Sequence, residues 1–460
     1  MYKLYYYNIK KGRCLEVVAH KEFNYCSLEQ INDEIKSLGL DLHLSNSIEL
    51  LKRTVEIDNF IIPNSMAVHP MEGCDGEADG SPGELTIRRY ERFARGGAGL
   101  IWFEAVAVVP EGKANPRQLM IDRNNISKFQ KLYQLMTDNA RSVYGDGFRQ
   151  VFIMQLTHSG RYSKPEGKSA PIIACHNPYL DAAQKIDEGL PVISDDDLER
   201  LEDEYVKSAL LAKEAGFQGV DVKCCHRYLN SELLSCFTRK GRYGGTFEGR
   251  TRFLLNIIDK IRDRLGKGFI VTTRMNSYDA IPYPYGWGTD KQDHAKYDMT
   301  EPIELVKLLY KRGVRLVNLT MGNPYYNPHV NRPFDKGPYV PQEHPLFGVA
   351  RLITGIGEVQ KAVPEMAVIG TGYSWLRQFS ANLAAGTLEK GLASIIGFGR
   401  ESFAYPDFPR DIAENGFMVK DKCCIACGKC SEIMRAGGTP GCVIRDSKLY
   451  APVYKQFAAK

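Results

Sequence analysis

From about residue 46 onward the chain alternates short continuous apolar runs with stretches whose apolar positions recur every three or four residues. Strands buried on both faces read as continuous apolar runs, and amphipathic helices read as the longer repeat, so the alternation predicts repeated strand–helix units. Eight runs fit the strand role: 60–65, 99–103, 151–155, 219–223, 269–274, 316–320, 367–370 and 394–397. One intervening helix shows the quality of the pattern. Ser194 stands at its cap, Leu198, Leu201, Tyr205, Ala209 and Ala212 share one face, and Gly216 ends it. Eight units predict a (β/α)8 TIM barrel. A doubly wound sheet normally carries a glycine-rich phosphate turn after its first strand, and Pro63-Asn64-Ser65-Met66-Ala67 contains none.

The pattern divides the chain into a small extension over residues 1–45, a barrel over 46–418 and a cysteine-rich segment with a tail over 419–460. In the extension, runs at 4–9 and 14–18 flank Lys10-Lys11-Gly12-Arg13 and predict a hairpin. A helix should follow, because Ser27 and Gln30 form a capping box, Leu28, Ile31, Ile35 and Leu38 share a face, and Gly39 stops it. This ββα unit carries no chemistry and reads as a packing or subunit-contact element, which leaves room for a homo-oligomer.

Composition is that of an ordinary globular protein, with 43% hydrophobic and 25% charged residues. The net charge of +5 is not gathered into basic runs, so a nucleic-acid partner is not expected. No apolar stretch approaches the ~20 residues needed to cross a bilayer, and the first residues lack the order of a signal peptide. A cytoplasmic protein without a membrane partner is the expectation. The cysteine distribution changes this picture most: of twelve, five lie between Cys423 and Cys442. Such crowding argues against a disulfide framework and for a bound metal in a reduced compartment.

The candidate chemistry lies where the fourth predicted strand ends. Lys223, His226 and Tyr228 follow the run Gly219-Val220-Asp221-Val222, and catalytic groups of a parallel barrel project from the C-terminal ends of its strands. Three proton-capable groups so placed can polarise a carbonyl and deliver a proton. Long loops at 71–82, 162–190, 276–299 and 321–345 follow other strands and are further candidates for function.

The segment YLNSELLSCFTRKGRYGGTFEGRTRFLL, beginning at Tyr228, resembles the fourth strand loop of the Old Yellow Enzyme family of FMN-dependent ene-reductases. Gln155-Leu156-Thr157-His158-Ser159-Gly160-Arg161 is similar to that family's third-strand segment. The resemblance implies that Gln155 meets the pyrimidine edge of FMN and that Arg274 stands beside N1 and O2, with Ala105 as a close contact. Gly372, Gly399 and Arg400, in IGTGYS and IGFGRES, would cradle its phosphate. It implies hydride transfer from reduced FMN to the activated C=C bond of an α,β-unsaturated carbonyl compound, with Tyr228 as proton donor. Lys223 stands where the family has its first carbonyl-binding His, and His226 takes the second position. An ammonium is a stronger point charge than an imidazole, which makes enoates more attractive substrates. Tyr325 and Tyr326 are candidate pocket residues. The first strand has Asn64-Ser65-Met66 where Ala-Pro-Met is usual, so no contact is carried over from it.

Cys424-x-x-Cys427-x-x-Cys430, with Cys442 after eleven more residues, has spacing suited to a [4Fe-4S] cluster. Spacing alone also permits a structural zinc; Cys423 is one cysteine too many, and Cys424 gives the regular spacing. The resemblance to the family's iron–sulfur branch, which includes 2,4-dienoyl-CoA reductase and trimethylamine dehydrogenase, favours the cluster. Those relatives continue into a nucleotide-binding domain where this chain ends at Lys460. Electrons are therefore expected from a partner subunit or carrier, or from NAD(P)H. Two other readings stay open: an amine dehydrogenase whose aromatic bowl would use Trp287, Tyr325 and Tyr326, and an electron-transfer subunit.

Overall fold

Eight parallel strands close into a barrel: β3 (Met66–Val68), β4 (Leu100–Ala107), β5 (Val151–Thr157), β6 (Gly219–Val222), β7 (Ile270–Asn276), β8 (Leu316–Thr320), β9 (Ala367–Gly370) and β10 (Ile395–Phe398). β10 pairs back to β3, with Gly397 opposite Ala67. The computed structural model describes residues 20–458. The hairpin expected at 4–9 and 14–18 lies outside the described residues. Helices return the chain between strands as the apolar repeat predicts. In Asp195–Glu214, the Ser194 hydroxyl accepts from the Asp197 N–H at 3.0 Å and Leu198, Leu201, Tyr205, Ala209 and Ala212 are all buried.

One strand differs from expectation. The run at 60–65 does not begin the barrel; β2 (Phe60–Ile62) pairs antiparallel with β1 (Val55–Ile57). Ile57 and Ile62 then pack against Leu100, Ile270 and Ile395 in a core cluster at the N-terminal end of the barrel. The physical reason lies in Pro63 and Asn64. Proline has no N–H to continue a ladder. Asn64 next to it holds a turn, its Oδ1 accepting from the N–H groups of Met66 and Gly99 at 3.1 and 2.8 Å. The true first strand starts at Met66.

The helix Leu28–Ser37 forms as its capping box predicts, with the Ser27 hydroxyl accepting from Gln30 N–H at 3.3 Å and Gln30 Oε1 accepting from Cys26 N–H at 2.7 Å. Its apolar face packs with Trp375, Leu376 and Leu383, and that cluster includes Cys423 and Ala426. The extension thus braces the wall beside β9 and β10, on which the cysteine segment also rests. Arg88 and Arg92 reach Asp446, each at 2.8 Å, and hold the C-terminal segment to the barrel's first helix.

The cysteine count did not foretell a disulfide, yet Cys175 and Cys236 are joined across 61 residues. It links the long loop after β5 to the loop after β6, where the buried Glu232 carboxylate also accepts from Arg161 Nε at 2.8 Å.

Candidate active site

β6 ends at Val222, and the backbone then turns sharply: His226 and Arg227 both have positive φ, 63° and 60°. Side chains other than glycine adopt that conformation only where the surroundings impose it. Here the buried Arg227 guanidinium is held by Asp279 at 2.8 Å, and the Leu229 N–H donates to the His158 carbonyl at 3.2 Å. The turn aims Lys223, His226 and Tyr228 together into one cavity above the barrel.

That cavity also receives Ala105, Gln155, Arg274, Gly372, Gly399 and Arg400, so the six residues expected at a flavin come together although they arise from five different strand ends. Its empty space is about 1230 Å³ with the open mouth included. Ala105 enters because β4 carries a bulge between Phe103 and Ala105, which re-aims the residues after it. Gln155 is oriented by Asp221, whose Oδ2 accepts from Gln155 Nε2 at 2.6 Å and from Trp102 Nε1 at 2.7 Å. Burial pushes the Asp221 carboxyl up to about 6. Gly372 has φ of 111° and a Cβ there would lie 2.8 Å from Leu352, so backbone conformation and packing both call for glycine.

The cavity is electropositive and underpaired. Arg274, Arg332 and Arg400 line it, and buried nitrogens without a protein partner include Arg274 Nε, Arg332 Nε and Nη1, and His69 Nε2. Unpaired buried donors are costly. An anionic group bearing ring carbonyls and a phosphate offers the acceptors these donors lack, so the residues fit FMN. Burial, with Arg274 and Lys223 beside it, holds the His226 imidazole well below its usual range, so it is neutral near pH 7. Burial likewise lowers Lys223, while Glu72 opposes that shift.

Tyr228 is the centre of an aromatic and charged cluster. Its hydroxyl lies 3.1 Å from that of Tyr325, and Lys223 Nζ sits 3.8 Å from its ring centroid. Tyr162 stacks on Tyr325 at 4.2 Å. Burial drives the Tyr228 phenol well above its usual value, with Glu72 and Tyr325 adding to the rise. Two expected pocket residues are elsewhere. Tyr326 is 36% exposed and is not among the lining residues. Trp287 is a core residue whose Nε1 donates to Asn276 O at 3.0 Å, so no bowl of Trp287, Tyr325 and Tyr326 forms. Sequence reasoning missed His69, Glu72, Arg332 and Trp375, which all line the cavity.

His158, beneath this floor, gives a pH test. Burial lowers it to about 4 from 6.5, while its Nδ1 accepts from Gly160 N–H at 3.1 Å. A folded-state value below the unfolded one stabilises the fold above pH 6.5, and that contribution is lost as pH falls through 6.5 toward 4. A difference of that size corresponds to about 3 kcal/mol. His158→Asn, which keeps an acceptor, should flatten the fall of Tm with acidification over this window relative to the wild type.

Cys423, Cys424, Cys427, Cys430 and Cys442 line a second, much smaller cavity. Cys423 is fully buried and donates its thiol to Val419 O at 3.4 Å, whereas Cys424 also faces the large cavity. Cys424 Sγ accepts from Ala426 N–H at 3.4 Å and Cys442 Sγ from Arg445 N–H at 3.3 Å. Among the described residues, no group of three or more His, Cys, Asp or Glu side chains is placed to hold a metal ion. Arg332, Arg400, Phe403, Cys424 and Cys430 line both cavities, so the two adjoin.

Among curated proteins, the chain is 28% identical over 379 residues to an NADH oxidase of Thermoanaerobacter brockii, covering 81% of this chain and 52% of that one. It is 26% identical over 362 residues to an NADPH dehydrogenase of Halalkalibacterium halodurans, covering 78% and 91%. A solved complex of 2-naphthoyl-CoA reductase shares the fold, with a TM-score of 0.70 and 19% identity over 89% of this chain and 58% of that one. The chain thus spans about half the length of some relatives and nearly all of another. With a closed parallel barrel and this cavity at its strand ends, and with the family model matching residues 53–417, the chain belongs to the NADH:flavin oxidoreductase / NADH oxidase family.

Proposed function

We propose that this protein is an FMN-dependent reductase of activated C=C bonds in α,β-unsaturated carbonyl compounds. The observation that carries the reading is the convergence of Tyr228, His226 and Lys223 with Gln155, Arg274 and Arg400 in one cavity. FMN, when bound and reduced, supplies the hydride. Gln155, Ala105 and Arg274 would hold its ring, and Arg400 with Gly372 and Gly399 its phosphate; the fixed charge of Arg274 favours negative charge on the ring. His226, neutral and buried, offers an N–H to the substrate carbonyl and draws electron density away from the β-carbon. Tyr228 holds the proton that the α-carbon takes. Lys223 lies over the Tyr228 ring face, 3.8 Å from its centroid, which supports its use in setting the charge of the site rather than in binding a substrate carboxylate.

Cys424, Cys427, Cys430 and Cys442 would hold a [4Fe-4S] cluster. The spacing of these four cysteines suits a cluster, and the shared walls of the two cavities would give electrons a short route. An external protein or NAD(P)H would supply them. The dehydrogenase reading loses its aromatic bowl with Trp287 in the core. Purification without oxygen, flavin and metal analysis, and assays with enones and enoates test the reading. FMN, about four irons per chain and oxidation of the reduced flavin by these substrates are expected; zinc without flavin would overturn it.

A further inference from the structure

Glu72, on the loop after β3, has no chemical step assigned to it above. Its carboxyl enters the cavity, where Oε1 is shut off from solvent without a hydrogen-bond partner. The groups that face it are the Lys223 ammonium, the Tyr228 and Tyr325 hydroxyls and, from its own loop, the Cys74 thiol. The loop is not free to carry it away. Gly73 N–H donates to Glu104 Oε2 at 2.8 Å, and Arg89 ties Glu104 and Asp75 together, each at 2.6 Å. A Cβ on Gly73 would fall 2.2 Å from the Arg89 guanidinium, so glycine lets the loop lie against this buried triad.

A tyrosine that protonates the α-carbon is left as a phenolate and must regain a proton before the next turnover. Lys223 lies over the ring face, 3.8 Å from the centroid, and so is aimed at the ring and not at the oxygen. Tyr325 is in reach at 3.1 Å, but it is itself a phenol whose acidity is weakened by burial. The geometry points to Glu72 as the relay residue that returns the proton to Tyr228, with Lys223 as its counter-charge; this inference rests on the reductive reading of the site. The step balances. The hydride forms the bond at the β-carbon, the C=C electron pair takes the Tyr228 proton at the α-carbon, and the phenolate takes the proton of the Glu72 acid. The resulting carboxylate pairs with the Lys223 ammonium and recovers a proton from water at the cavity mouth. Burial pushes the Glu72 acid above its ordinary value and the Tyr228 phenol far higher, so the transfer to phenolate runs downhill.

The test uses the full chain loaded with FMN and reduced with excess dithionite, with cyclohexenone and crotonyl-coenzyme A as probes. For Glu72→Gln, oxidation of the flavin in the first turnover should stay within about threefold of wild type, while sustained turnover falls about ten- to a hundredfold. Glu72→Asp should recover part of that loss. In the oxidised protein, an infrared band of a protonated carboxyl should be absent from Glu72→Gln and shifted in Tyr228→Phe. Equal loss in both phases, no loss in either, or a band indifferent to Tyr228→Phe would overturn the relay while leaving the reductive reading in place. A wild-type chain whose reduced flavin is oxidised by neither probe would overturn the reductive reading and the relay with it.

Discussion

Tyr228→Phe is expected to lower the rate of product formation by about 10²–10⁴-fold, the range lost when a positioned general acid is removed. The ring remains, so its contacts with Tyr325 at 6.4 Å and Tyr162 at 5.9 Å are kept and the fold should not change. Flavin content should match wild type, because Tyr228 is not among the groups that would hold the ring or phosphate. The informative comparison is between flavin oxidation and saturated product. Hydride transfer without a proton donor should slow both, whereas a protein that only relays electrons to a partner would keep its electron flow. Unchanged product formation in this variant would remove Tyr228 from the chemistry and leave Tyr325, 3.1 Å away, as the nearest phenol.

On the proposed reading, Cys427→Ser should abolish the iron–sulfur centre and leave the flavin in place. One missing thiolate leaves three ligands for four irons, and the expected result is loss of the broad visible absorption and of most of the iron. FMN should remain because its proposed holders, Gln155, Arg274 and Gly372, stand on β5, β7 and the loop after β9, not on the cysteine segment. Chemically reduced flavin should still pass hydride to substrate in this variant, while turnover fed by an external one-electron donor should stop. Cys423→Ser is the matching control. That thiol is directed at Val419 O within the core packed by the N-terminal helix, so iron should be retained. Loss of iron in Cys423→Ser with retention in a Cys424 variant would reverse the ligand assignment.

Much of the site is legible in the amino-acid sequence because its residues are fastened to short local patterns. Gln155, Arg274, Gly372 and Gly399 sit at or just beyond strand ends, and strand ends are marked by where an apolar run stops. Once eight runs are counted, barrel closure brings those ends to one face. Tyr228 and Tyr325, from loops almost one hundred residues apart, meet for the same reason. The regular spacing favours Cys424 over Cys423 as a ligand, but what surrounds each thiol is not legible in this way. Both thiols line the smaller cavity, and the full burial of Cys423 depends on the core of Phe23, Tyr25 and Trp375 that it joins.

The amino-acid sequence by itself determined the barrel and most of the cavity's chemical groups, because periodicity, capping and strand-end position are local properties. Only the tertiary structure decided that Pro63 and Asn64 turn the run at 60–62 into a plug and delay the barrel to Met66. It also decided that Tyr325 faces inward while its neighbour Tyr326 faces solvent, that Trp287 fills the core, and that Cys175 meets Cys236. Glu72 and Arg332 entered the site in the same manner, from loops whose sequence carries no period. A loop side chain's direction is set by what packs against it, through contacts distant in sequence such as the Asp75–Arg89–Glu104 triad, and no local pattern records those contacts.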